Sequence, residues 1–434
     1  MSRPRARAET PPAAARPVFS PGAGPAGDET ARVARLLKGA AYFPIFNVHN
    51  PAIPNDTVPL LPFATQTLGQ ALFTAVNVNE ELRRFEVVTQ VGPQGLTARN
   101  RISSNGVANV SIRWTPIPEG YAPSPGVSPP PTLLNPFASQ RFTMLNGQLS
   151  FQDRKVSGVR AFGSGRTFPV PGRAGSLNIG AVIDILEGSG SLYGLSDETL
   201  PGATMVINGF ITPPNDLALN LLVRVMDPNG QLTAQGPIPP LASPERTPAG
   251  SGVYMFFLGE TDPRRPMRLL YGPGGAPIGA QVIESLRLVG IDFDVKSAAG
   301  LRSRTLEGPV VGTASAILYC NFQDQLTVVP AQTTGSVFSF HDLQGRSLGS
   351  VCANMIEGRA FRTYLPGAPY PVFRMGGFGP LLRGTGAFAG ISGMMSVNGV
   401  VSAFPPTLSN LYVLRLEDPG GRFQDRLQGA AYTV

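Results

Sequence analysis

The sequence predicts an all-β chain built from two copies of one antiparallel domain, and three observations carry that expectation. Glycine and proline, 51 and 44 of the 434 residues, occur at nearly twice ordinary usage. Short apolar runs are cut throughout by turn-forming dipeptides, Asn-Gly above all. Blocks of sequence recur in the same order in the two halves.

Only 15% of the chain is charged and 42% is hydrophobic, which excludes a coiled coil or a polyampholyte. The net charge of +7 points to nucleic acid only until it is located. Residues 1–38 hold Arg3, Arg5, Arg7, Arg16, Arg32, Arg35 and Lys38 against Glu9, Asp28 and Glu29, or +4, leaving +3 for the other 396 residues. Nucleic-acid and membrane-surface partners select a clustered basic face, so neither is expected for the folded part. No run approaches the 18 apolar residues of a membrane span, and the first residues lack the apolar core of a secretory signal. A cytoplasmic protein is expected. Cys320 and Cys352 are too few for a disulfide framework and read as free thiols.

Along the chain, residues 1–38 are rich in Ala, Pro, Arg and Gly and read as a disordered basic arm. Helical spacing appears at Asp28–Ala41 and at Leu68–Arg84. The remainder reads as strands. Asn-Gly at 105–106, 146–147, 208–209, 229–230 and 398–399 is expected at type I′ hairpin turns, because those turns need two positive φ angles. Residues 123–136 (PSPGVSPPPTLLNP) read as a long loop and 236–252 as a linker. The expected domains are 40–235 and 253–434.

The repeat is carried by ordered pairs of blocks. FEV (85–87) answers FDV (293–295), and Gly106–Trp114 answers Gly312–Cys320. Phe151-Gln-Asp153 matches Phe340-His-Asp342, and Arg160-Ala-Phe162 matches Arg359-Ala-Phe361. GSGSLYG (188–194) matches GTGAFAG (384–390), and VRVMDPNG (223–230) matches LRLEDPGG (414–421). Offsets drift between 189 and 208 residues while the order holds, as loop insertions in a duplicated fold would produce. About eight strands per copy close best as a barrel, which leaves no free edge. Read with the strand period of two, Gly188, Gly190 and Gly194 share one face, as do Gly384, Gly386 and Gly390, and a glycine face permits sharp coiling.

RGTGAFAGISG (383–393), followed by a hairpin and the terminal strand YVLRLED (412–418), resembles the glycine-rich hairpin of the allene oxide cyclase and dirigent-protein barrels; EGSGSLYGLS (187–196) is a weaker version. The resemblance implies two tandem eight-stranded, calycin-like barrels. It further implies an apolar small molecule in a barrel lumen and a cyclase or isomerase that acts on a polyunsaturated substrate without an organic cofactor. The competing expectation is a non-catalytic protein, either an apolar-ligand carrier or a self-assembling structural subunit; homo-oligomers are compatible with both.

Such catalysis needs a dry cavity and one or two polar groups placed against developing charge. Candidates for catalysis are His341, Asp342, Arg359 and Tyr193. The Phe-x-Asp and Arg-Ala-Phe blocks could bring Asp342 near Arg359, and Asp153 near Arg160, across neighbouring strands; a rim pair is the alternative. Ligand contacts are assigned to Asp153, Arg160, Arg224, Arg415, Trp114 and Glu187; the alternative for Arg224 and Arg415 is the outer wall, and for Trp114 the core. Asp184 is an unmatched acid, and Asp227 and Asp418 read as turn formers. His341 and Asp342 adjoin in sequence, but neighbouring strand residues face opposite ways. There is no HExxH or Cys-x-x-Cys motif, so no metal site is expected, and no strand-to-helix nucleophile elbow is read, so neither is a serine-hydrolase mechanism.

Overall fold

The computed structural model describes residues 26–39, 41–42, 45–50, 65–67, 70–72, 76–92, 95–115, 141–151, 157–171, 176–189, 202–212, 216–226, 253–262, 264–294 and 302–417. The first half contains α1 (Ala26–Gly39), β1 (Ala41–Tyr42), β2 (Ile45–Asn50), β3 (Thr65–Thr67), β4 (Gln70–Leu72), β5 (Val76–Gly92), β6 (Gly95–Thr115), β7 (Arg141–Phe151), β8 (Ser157–Pro169), β9 (Leu177–Ser189), β10 (Ala203–Thr212) and β11 (Asp216–Met226). The second contains β12 (Val253–Thr261), β13 (Arg268–Tyr271), β14 (Pro277–Asp294), β15 (Arg302–Cys320), β16 (Val328–His341), β17 (Ser347–Ala353), β18 (Glu357–Thr363), β19 (Val372–Gly384), β20 (Gly393–Ala403) and β21 (Pro406–Leu416).

The second half closes into an eight-stranded antiparallel barrel. β14 pairs with β15, β15 with β16, and β16 with both β17 and β18, which together form one interrupted strand that also pairs with β19. β19 pairs with β20, β20 with β21, β21 with β12, and β12 returns to β14. Alternation builds the wall: in β14, Ala280, Val282, Glu284, Leu286 and Leu288 are buried inward, while Gln281 is exposed and Ile283 half-exposed. Phe257, Phe340 and Phe388 form an aromatic column with centroids 4.9 and 5.2 Å apart. The first half is joined by antiparallel ladders from β5 through β11, with β2 lying between β11 and β5.

Every residue of β20 is buried, on both faces. Its inner face fills the barrel, and its outer face packs on the first half, which explains a strand without a charged side chain. Phe378 of β19 seats its ring where Gly180 of β9 has no side chain, and Val182 of β9 lies against Gly376 of β19. The same pair of positions therefore acts in both directions, as in a two-fold interface.

Several sequence expectations change. Residues 26–39 form a helix that overlaps the arm expected to be disordered; Val33 and Leu37 are buried with Met226, Leu365, Val372 and Val400, enough apolar contact to order this segment. The helical spacing at Leu68–Arg84 is overridden, because Gln70–Leu72 and Val76–Gly92 pair as strands. The Asn-Gly dipeptides at 105–106, 146–147, 208–209 and 398–399 lie inside β6, β7, β10 and β20, where ladders on both sides keep the chain extended. Asn105 and Asn146 fall at register shifts. Beyond Gly384, the last residue of β19, the glycine block leaves the strand: Gly386–Phe388 is a 3-10 turn, with positive φ at Gly386 and Gly390. A Cβ at Gly384 would sit 2.0 Å from the Phe388 carbonyl oxygen, so the glycine permits the close turn that drives Phe388 into the barrel end. Residues 123–136, 229–230 and 236–252 lie outside the described residues.

Candidate functional site

The polar centre of the closed barrel is a three-residue cluster on β14 and β21. Glu284 continues the inward-facing apolar row of β14 and is only 1% exposed. The Tyr412 hydroxyl donates to Glu284 Oε2, and the Asn410 amide donates to Glu284 Oε1 at 3.2 Å and to the Tyr412 oxygen at 3.0 Å. Gly259 on β12 makes the room: a Cβ there would lie 2.3 Å from Glu284 Oε1. Burial pushes the Glu284 carboxyl up to about 7, against the opposing hydrogen bonds from Tyr412 and Asn410. Burial, and then the neighbouring carboxylate, hold Tyr412 well above the ordinary tyrosine range.

A carboxyl poised near neutrality can both accept and release a proton. Beside it the barrel interior keeps a void of about 20 Å³, room for about one water molecule. Asn410 and Tyr412 border that void, together with Ala314, Met355, Met375 and Met395. Glu284 stands one hydrogen bond behind Tyr412.

The residues expected from sequence are not gathered at this centre. His341 Nδ1 lies 2.9 Å from the Asp342 carbonyl oxygen at the end of β16. The Asp342 carboxylate organises the following turn, accepting the main-chain N–H of Gln344 at 3.0 Å and of Arg346 at 2.8 Å, and the Arg346 side chain at 2.6 Å. Burial alone would raise its pKa, but these Arg346 and Gln344 contacts win and hold it below the ordinary value. Arg359 reaches Ser164 of the first half at 3.5 Å, so the expected Asp342–Arg359 pairing is replaced by Asp342–Arg346. Arg359 stands opposite Pro330, at the other end of β16 from Asp342, which puts the two side chains out of reach of each other.

Arg224 and Arg415 are fully buried between the halves. Arg415 donates to Asn208 at 3.1 Å and to the Gly209 carbonyl at 3.1 Å, and also contacts Asn178 and Glu417. Arg224 donates to the Ser409 carbonyl at 2.5 Å and to the Leu37 carbonyl at the end of α1 at 3.4 Å; burial pulls it below the usual arginine value. Asp184 accepts from Arg374 at 3.0 Å, and Arg374 also donates to the Ala203 carbonyl and Thr204 at 2.7 and 2.8 Å. These arginines tie the halves together. Arg160 and Glu187 are backbone partners across β8 and β9, Trp114 lies in β6 opposite Phe142, and Gly188 lies in β9. Asp153, Tyr193, Gly190, Gly194, Asp227 and Asp418 lie outside the described residues.

Glu284, Asn410, Tyr412 and Arg374 were not found from sequence. One signal was present: in Ala280-Val282-Glu284-Leu286-Leu288 an acid occupies the apolar face of a period-two strand. Cys320 and Cys352 are free thiols, and burial pushes Cys320 up to about 12. Among the described residues no cluster of His, Cys, Asp and Glu could hold a metal ion, and no helix is long and apolar enough to cross a membrane.

Fold and site together define an antiparallel eight-stranded barrel whose packed interior holds the buried Glu284 carboxyl. No family model matches the chain, and no curated protein or solved structure matches it.

Proposed function

We propose that this chain is a non-catalytic, tandem-barrel structural protein whose second barrel is a packed scaffold. The observation that carries the reading is the volume of the void beside Asn410 and Tyr412, about 20 Å³, set against the roughly 300–1,000 Å³ that a small-molecule pocket needs. A polyunsaturated substrate does not fit beside Tyr412 and Asn410 with the methionines as packed. We read the first half as a second barrel of the same plan. Its ladders support this: β2 and β5 through β11 pair in the order in which β12 and β14 through β21 pair. The likeness to the allene oxide cyclase and dirigent barrels then concerns architecture.

One observation favours a second reading, a cofactor-independent isomerase or cyclase: the Glu284 carboxyl held near pH 7 beside a tyrosine hydroxyl. In that case Glu284 exchanges the proton, Tyr412 and Asn410 hold it in place, and Met355, Met375 and Met395 repack to admit a substrate, as flexible thioethers can.

Titration of the full chain with the apolar fluorophore N-phenyl-1-naphthylamine separates the readings. The scaffold reading expects no saturable uptake that depends on the second barrel. Saturable uptake that Ala314→Phe abolishes while the fold persists would overturn it and bring the second reading forward.

A further inference from the structure

The turn between β12 and β13 carries a feature that the barrel does not require. Arg264, Arg265 and Arg268 surround an open hollow of about 250 Å³, completed by Pro266, Gln281 and Ile283. All three arginines are exposed, and the lining contains no carboxylate. Among the described residues none of the three guanidinium groups has an ion pair, whereas Arg374 and Arg415 are each matched to a carboxylate. The acid nearest in sequence, Asp262, is engaged locally, its carboxylate accepting the main-chain N–H of Arg264 at 2.9 Å.

The backbone beneath the hollow is held on both sides. Asp262 N–H bonds the Ile283 carbonyl at 3.1 Å, and Arg265 N–H bonds the Asp262 carbonyl at 2.9 Å. Met267 is buried and anchors the turn, and Arg268 stands opposite Gln281 in the β13–β14 ladder. Three like charges brought together on a fixed turn repel one another, and an anion between them removes that cost. Guanidinium forks match phosphoryl oxygens in pairs, and a glutamine amide adds a neutral donor.

We propose that this hollow is a binding site for a small phosphoryl anion, with Arg264, Arg265 and Arg268 as its cationic wall and Gln281 as its floor. The volume exceeds that of a single orthophosphate, so a diphosphate group is the occupant that engages all three arginines. The site lies on the outside of the wall and is independent of the barrel interior.

The test is calorimetric titration of the full chain with inorganic pyrophosphate, with sulfate at matched ionic strength as the control, repeated on Arg265→Gln/Arg268→Gln. Expected are one-to-one saturation by pyrophosphate, weaker binding of sulfate, and a loss of about tenfold in affinity for each guanidinium removed. The variant's melting temperature in the absence of anion reports that the fold is intact. Absence of saturation, or saturation that the double substitution leaves unchanged, would overturn the assignment. Should the double substitution fail to fold, Arg264→Gln alone serves in its place: a weakened affinity supports the site, and an unchanged one removes it.

Discussion

Asn208 and Asn398 perform the same act in opposite directions. The Asn208 amide donates to the Met394 and Val413 carbonyls at 3.2 and 3.3 Å, and the Asn398 amide donates to the Thr204 and Leu222 carbonyls at 2.8 and 3.0 Å. Each asparagine sits mid-strand and bridges two strands of the other half, so the two halves meet as the partners of a symmetric dimer do. Asn208→Leu and Asn398→Leu each remove the donor from two buried carbonyls. Each is expected to cost about 2–4 kcal/mol, with Asn208→Leu the more costly because it also removes an acceptor of buried Arg415. Urea unfolding of the two single variants measures this; a negligible loss for either would remove the asparagines as interface clamps.

The glycine contacts make a steric prediction at the same interface. A Cβ on Gly180 would stand 2.1 Å from the Phe378 ring. Gly180→Ala should therefore destabilise by about 1–3 kcal/mol through overpacking. Phe378→Leu in the same chain should recover part of that loss, since the two residues share one volume. A double-mutant cycle reads the coupling directly, and strict additivity would contradict the packing.

The strand content and the barrel closure of the second half were legible because period-two alternation is a local signal. What was illegible followed from what lies across an interface. Asn208-Gly209 and Asn398-Gly399 resemble hairpin turns until another sheet offers carbonyls to the amides, and then the strand runs through them. Arg224 and Arg415 resembled ligand contacts for the same reason: a guanidinium in an apolar strand needs acceptors, and these come from the other half. Glu284 gave a readable anomaly on its strand, but its partners Asn410 and Tyr412 lie on β21, beyond the reach of any local pattern.

The Arg374–Asp184 contact tests how the halves tolerate a buried cation. Arg374 is desolvated, which lowers its pKa, while the Asp184 charge and hydrogen bond work against that. Asp184→Ala leaves the guanidinium with neutral acceptors only and is expected to cost roughly 1–3 kcal/mol, since Asp184 keeps partial contact with solvent. Asp184→Asn should cost less, because one acceptor oxygen remains. Combining Asp184→Ala with Arg374→Met should restore stability relative to Asp184→Ala alone, and chemical denaturation of the three variants would refute the pairing if it does not.

Glu284 gives the fold a pH signature of unusual sign. Its pKa rises from 4.5 in the unfolded chain to about 7 in the folded one. Below the unfolded value both states hold the proton, and the contribution is fully present. As pH rises from there toward 7 the unfolded chain releases the proton while the folded chain keeps it, so stability falls; above 7 both are ionised and the loss is complete. The fall amounts to about 3 kcal/mol. Other carboxylates act oppositely at lower pH, Asp342 among them, since its folded pKa is depressed. The informative quantity is therefore the difference between the native chain and Glu284→Gln, in which those contributions cancel. Unfolding free energies measured at pH 5 and pH 8 should show the variant gaining roughly 2–3 kcal/mol on the native chain at the higher pH, part of the fall being complete already at pH 5. An equal difference at both pH values would mean that Glu284 is ionised throughout, and that the barrel interior is wetter than its packing indicates.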